Sequence, residues 1–209
     1  MSKYFFISSL LQKCKRENYT KILNIGPSNI FSIASHSIRD IKNLRDFKRI
    51  KDFTSLDVKF DFIYIQSESM ENLKINEFED TFEDINKLCN RGCIETLSPS
   101  QSSFFIKGNV ITWTDFNTNY INILRLESKY HDPTLTMNIV NNYTNNQIFY
   151  HNFYLWNLPI NDKMNKINKT KSIQYNILSP KTKEEYLQLL YKGISKSITN
   201  TELLMKNFQ

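Results

Sequence analysis

This 209-residue chain is poor in the residues that build special scaffolds: it has 4 Gly, 5 Pro, 3 Cys and a single Ala, Ala34. Too little Gly and Pro excludes a collagen-like repeat, and three thiols cannot form a disulfide framework. An odd thiol count suits a reducing compartment, and a cytoplasmic location is the expectation. The chain also lacks a long apolar run. The longest uncharged stretch, Pro133 to Asn161, is crowded with Asn and Thr, whose amides and hydroxyls find no partner in lipid, so no membrane span is expected. The apolar run Tyr4 to Leu11 has no small-residue cleavage site before Lys13, Lys15 and Arg16, and reads as an amphipathic helix.

What is present is a core-forming composition. Hydrophobic residues make up 40%, with 15 Phe and 11 Tyr, enough for one domain with a substantial interior. The 25 Ile, 25 Asn and 21 Lys match an AT-rich coding sequence. The net charge of +6 is laid out by segment: residues 1–60 carry 12 basic and 5 acidic side chains, and residues 61–99 carry 3 and 9. Nucleic-acid binders usually gather basic groups on one face with interleaved aromatics. Nucleic acid is therefore a possible partner without being the favoured one; its candidates are Lys42, Arg45, Lys48 and Arg49 with the segment from Lys163 to Lys171.

The pattern of elements predicts an α/β fold. Lys21 to Ile25 reads as a strand that runs into the turn formers Gly26-Pro27-Ser28-Asn29. His36 to Asp40 reads as a second strand ending in a carboxylate. In Ile41 to Lys51 the spacing of Leu44, Phe47 and Ile50 predicts a helix. Phe60 to Gln66 is nearly continuous in apolar side chains, as in a strand buried on both faces of a parallel sheet. Residues 76–90 predict a helix with Phe78, Phe82, Ile85 and Leu88 or Cys89 inward and Glu77, Glu79, Asp80, Glu83 and Asp84 in water. Gly92 is placed to end that helix, and Cys93 to Thr96 reads as the next strand. The order strand, helix, strand argues for a βαβ unit.

After Pro99 the pattern turns antiparallel. Phe104 to Lys107, Val110 to Thr114 and Tyr120 to Leu126 read as a β meander. Residues 128–146 and 159–176 read as long Asn-rich loops, the first of them either a substrate lid or neutral drift. Gln147 to Leu158 is an aromatic strand whose default role is core packing. A closing helix is predicted over Lys181 to Ser197, with Tyr186, Leu189, Leu190 and Ile194 inward. The expected organisation is a core over 1–100, with 101–209 a meander and C-terminal extension packed on the same domain.

Few residues are placed for chemistry. Cys14, Cys89 and Cys93 form no CxxC pair, and His36, His131 and His151 show no ligand spacing, so neither a metal site nor a hydrolase nucleophile is expected. A glycine loop after the first strand lets a nucleotide-like ligand approach the backbone, and an acid closing the second strand can bind ribose hydroxyls. Gly26 and Asp40 fit those roles by position, although glycine before proline also makes an ordinary turn.

Several segments together resemble the class I S-adenosylmethionine-dependent methyltransferases of the methyltransferase-domain type. Leu23-Asn24-Ile25-Gly26-Pro27-Ser28-Asn29 is similar to the family's hydrophobic-Asp-hydrophobic-Gly-Pro-Gly-x-Asn loop, with Phe31, Ala34, His36 and Asp40 in register. Lys51-Asp52-Phe53 and Lys59-Phe60-Asp61-Phe62-Ile63-Tyr64 resemble its third-loop Asp and its Phe-Asp-hydrophobic strand. Asn90-Arg91-Gly92-Cys93-Ile94-Glu95-Thr96-Leu97-Ser98-Pro99 is close to a branch with an Ile-Glu-Thr-x-Ser-Pro signature, as is the segment bearing Trp113-Thr114-Asp115. The resemblance covers roughly residues 20–130.

The resemblance implies a Rossmann-like methyltransferase sheet with helices on both faces. It places S-adenosylmethionine on Gly26, Pro27, Ser28 and Asn29, with Asp40 toward the ribose, Asp52 and Phe53 near the adenine, and Gln66 and Ser67 at the methionine end. The methyl acceptor would be a small molecule or glycan. There are departures: Asn24 stands for the family Asp, Ser28 for its second glycine, and Glu68 and Asn72 for two His, while Gly108-Asn109-Val110 falls where the branch has a His/Arg cluster. These losses raise the alternative of a catalytically inactive binding or scaffold protein with a protein partner. No catalytic residue is named by the sequence.

Overall fold

The computed structural model describes residues 3–29, 40–99, 108–115, 119–130, 134, 151–158 and 171–208. It is a mixed α/β fold on a five-stranded, mostly parallel sheet. Helix α1 (Lys3–Arg16) leads into β1 (Lys21–Ile25), followed by β2 (Asp40–Leu44), α2 (Ile50–Ser55), β3 (Phe62–Ile65), α3 (Ser67–Glu71), α4 (Phe78–Leu88) and β4 (Gly92–Leu97). Then come β5 (Val110–Asp115), β6 (Tyr120–Arg125), β7 (His151–Trp156), β8 (Tyr175–Leu178) and α5 (Lys183–Phe208).

The main sheet runs β2-β1-β3-β4-β7, with only β7 antiparallel to its neighbour. Alternate side chains of its strands feed two cores, which is why β3 reads as a continuous apolar run. Leu23, Ile63, Ile65, Ile94, Tyr154 and Trp156 pack with Ile50 of α2 and Phe78, Phe82, Ile85 and Leu88 of α4. On the other face Ile22, Phe62, Tyr64, Cys93, Phe153 and Leu155 pack under Phe6, Ile7, Leu10 and Cys14 of α1. Helices thus cover both faces. The aromatic strand β7 seats its rings in both cores, as the packing reading holds; residues 147–150 of that reading lie outside the described residues.

The second sheet, β5-β6-β8, turns Val110, Ile121 and Ile123 toward the first core and Ile111, Trp113 and Leu124 toward Tyr186, Leu190 and Ile194 of α5. At Gly193 the close approach is explicit: a Cβ there would stand 2.8 Å from Trp113.

Several expected elements differ. Ile41 to Lys51 is not a helix: it splits into β2, a 3-10 turn over Phe47–Arg49 and the start of α2. The strand expected over His36 to Asp40 begins at Asp40, and residues 36–39 lie outside the described residues. Of the expected meander, β5 and β6 pair antiparallel as read, and the strand expected over residues 104–107 lies outside the described residues; on its other edge β6 takes β8, which begins in the segment read as loop and runs parallel to it. Gly92 does not end α4, whose cap is the extended Cys89; it opens β4. Asp84 is buried on α4 and pairs with Lys87 at 3.3 Å rather than facing water. The closing helix runs past Ser197 to Phe208.

Asp61 of the Phe-Asp-hydrophobic strand has a structural task. Its carboxylate accepts from Thr20 N at 2.8 Å, Lys21 N at 2.9 Å and Thr20 Oγ1 at 3.2 Å, tying the start of β3 to the start of β1. Burial works against its charge, but these donors and the Arg91 guanidinium outweigh it and hold the pKa below the usual carboxylate range. With a folded value below the unfolded ~3.9, its contribution is full above that value and disappears as pH falls through the lower one. Asp61→Asn should flatten this limb of the acid-unfolding curve; identical acid limbs in the two proteins would show that the carboxylate carries no pH-dependent stability.

The three thiols are buried and free. Burial pushes Cys14 up to about 12 and Cys89 up to about 11, and raises Cys93 as well. Thiolate is the reactive form, so folded protein at pH 8 should resist a disulfide reagent and release three thiols only in denaturant. Rapid native labelling of all three would contradict this packing.

Candidate functional site

The strand order reverses at β1, since β2 lies on one side and β3 and β4 on the other. In an open parallel sheet the connections then leave the carboxyl edge in opposite directions and open a crevice between β1 and β3. Gly26 stands at this edge, directly after β1. Its φ of +154° is a conformation that side chains other than hydrogen rarely adopt, and its N–H donates to Leu44 O at the end of β2 at 2.7 Å.

The crevice at Gly26 is filled from within. A Cβ on Gly26 would fall inside the side chain of Gln66, overlapping its Cβ, Cγ and Cδ. Gln66 follows β3, is fully buried, and donates its backbone N–H to Ile25 O at 2.8 Å. Its side-chain amide pairs with the Ser28 backbone on both sides: Nε2 donates to Ser28 O, and Ser28 N donates to Oε1 at 3.2 Å. Nε2 also donates to Asn24 Oδ1 at 3.0 Å, and Asn24 Nδ2 donates to Ser28 O and to Asn43 Oδ1, both at 2.9 Å. Asn24 is fully buried at strand position four of β1, and these bonds are what make a buried amide tolerable there.

Of the residues singled out from sequence, the structure brings Gly26, Ser28 and Gln66 into contact, with Pro27 and Asn29 exposed in the same turn. Ser67 is buried one residue on, where its hydroxyl donates to Glu68 at 3.2 Å. Three others are not brought to this edge. Asp40 opens β2 opposite Lys21, about 13 Å along the strand from Leu44 at 3.3 Å per residue, and pairs with Lys42 at 3.3 Å. Asp52 is an exposed residue of α2 paired with Arg49 at 2.9 Å, and Phe53 packs edge-on against Phe60, which precedes β3. Lys42 and Arg49 of the basic set are thus already paired.

The carboxylate that follows β2 is Asp46. It accepts from Lys48 N at 2.9 Å and lines an open cleft of about 860 Å³ with Phe47, Lys51, Ser69, Leu73 and Thr81. Ser69 N donates to Gln66 O, so the cleft starts within a few residues of the Gly26 contact on both sides. The Gly108 turn, with φ +86°, docks against α3: Asn109 N donates to Glu71 O at 2.6 Å and Asn109 Nδ2 to Asn72 O at 2.8 Å. The Gly108 turn therefore serves to hold α3.

One buried acid has no role in the sequence reading beyond its place in the Ile-Glu-Thr-x-Ser-Pro resemblance. Glu95 of β4 is fully buried and accepts from Tyr64 Oη at 2.8 Å. Burial, then the Glu95 charge, push the Tyr64 hydroxyl well above its ordinary value, so it stays a donor. The signal was available, since a Glu inside an apolar strand needs a partner on the neighbouring strand. Among the described residues no three His, Cys, Asp or Glu side chains gather as a metal site, and no helix is long and apolar enough to cross a membrane.

No family model matches the chain, and no curated protein or solved structure is significantly similar to it.

Proposed function

We propose that this chain is a methyltransferase-like protein of Rossmann-like fold whose S-adenosylmethionine-type ligand belongs at the carboxyl edge between β1 and β3. The observation that carries this reading is the reversal of strand order at a glycine that has φ +154° and no room for a Cβ. Bound S-adenosylmethionine supplies an activated methyl group, and the chain's part is positioning, for a small-molecule or glycan acceptor. On this reading Ser28 and Asn24 face the amino-acid end, and Asp46 takes the ribose-side place expected of Asp40, because it is Asp46 that follows β2.

A second reading is favoured by the Gln66 amide lying on Gly26 and by the missing His residues: an inactive descendant that serves as a binding or scaffold module for a protein partner. Amide hydrogen exchange with saturating S-adenosylhomocysteine separates the two. The first predicts added protection over residues 22–29 and 44–49. Unchanged exchange throughout a folded sample would contradict it and leave the second.

A further inference from the structure

We propose that Gln66 is an internal plug of this site, occupying the space a ligand's amino-acid end would need; the inference rests on the ligand site proposed above. The Gln66 amide offers a donor to two acceptors, Asn24 Oδ1 and Ser28 O, and an acceptor to one donor, Ser28 N. An α-amino acid makes the same offer, with an ammonium as the donor and a carboxylate as the acceptor. The side chain therefore satisfies the loop's own polar groups in the pattern a zwitterionic ligand would use. It also covers the open face of Gly26, where a missing Cβ would otherwise let a ligand reach the backbone.

The neighbourhood is matched to this closed state. A carboxylate at position 24 could accept from Gln66 Nε2, but only an amide can also donate to Ser28 O and Asn43 Oδ1. All members are neutral, so the plug is held by ordinary hydrogen bonds rather than by buried ion pairs. Each such bond is modest on balance when exchanged for bonds to water or ligand. The open form is thus a minor population, and a ligand's apparent affinity falls by the fraction that is open.

The test is isothermal titration with S-adenosylhomocysteine of the full chain and of Gln66→Ala, Gln66→Ser and Asn43→Ala, each shown folded by circular dichroism. Asn43 belongs to the amide cluster but is exposed and does not cover Gly26, so its variant controls for general loosening. The plug predicts that Gln66→Ala or Gln66→Ser binds about tenfold to hundredfold more tightly than the unaltered chain, while Asn43→Ala gains less than about threefold. Equal affinity for the unaltered chain and both Gln66 variants would overturn the plug and leave the site standing. Absence of binding in every folded protein would overturn both the plug and the site. If Gln66→Ala does not fold, Gln66→Ser decides, because it keeps a polar atom in the place of Cγ while clearing Cδ and the amide.

Discussion

Replacing Trp156 by alanine should lower the unfolding free energy by about 3–5 kcal/mol, the range for deleting a buried large aromatic. Trp156 is fully buried at the end of β7, packs in the core shared with α4, and stacks beside Tyr154 with ring centroids 6.3 Å apart. Its six-membered ring lies over Gly92, so close that a Cβ at 92 would overlap it. The alanine would leave a cavity bounded by two strands that are fixed by their ladder and cannot collapse inward. Domains of this kind hold only about 5–15 kcal/mol in all, so the melting temperature should fall by roughly 6–20 °C. Trp156→Phe should cost far less, because it keeps most of the apolar contact and removes an indole N–H that has no partner among the described residues. A loss below about 1 kcal/mol for the alanine, measured by urea unfolding, would mean that β7 is not the packed outer strand described above.

Gly26→Ala should cost about 2–4 kcal/mol, from two sources. The φ of +154° is strained for any side chain, worth about 1–3 kcal/mol, and the new methyl overlaps Gln66. The second source can be separated from the first. In a Gly26→Ala, Gln66→Ala double mutant the Cγ and Cδ overlaps are gone, so the two substitutions should couple favourably by about 1 kcal/mol or more. Strict additivity would show that the two side chains do not share the space over the crevice, and the plug would lose its geometric basis. The cost that persists in the double mutant measures the backbone strain together with the remaining contact at the residue 66 Cβ.

The sheet was legible where burial was two-sided or where spacing stayed within one element. Phe60 to Gln66 gave β3 as a continuous apolar run, and Phe78, Phe82, Ile85 and Leu88 gave α4 because all four lie on one face of one helix. The failure at Ile41 to Lys51 has a definite cause. Leu44, Phe47 and Ile50 are all buried, but they belong to a strand end, a 3-10 turn and a helix start, and only by coincidence does their spacing match one helical turn after another. Strand β2 hid itself because it is an edge strand whose Lys42 and Asn43 face outward, and β8 because its Asn176 and Ile177 are exposed at the edge of the second sheet.

Because β2 runs on from Asp40 to Leu44, the first carboxylate after the strand is Asp46, which lines the cleft, and not Asp40. Of the residues to which the resemblance points, Gly26, Ser28 and Gln66 do meet, and the Gln66 amide lies over Gly26 and bonds to the loop itself. The cue lies in two polar residues: Asn24 inside an apolar strand and Ser28 in the loop after it leave groups that an amide from the next strand can satisfy together.

The most direct measurement is a crystal structure of Gln66→Ala grown with S-adenosylhomocysteine. The ligand is expected at the carboxyl edge between β1 and β3, its amino-acid end against Ser28 and Asn24 and its ribose side toward Asp46. A ligand bound elsewhere, or a ligand-free crevice above an unmoved Gly26, would contradict both the site and the plug.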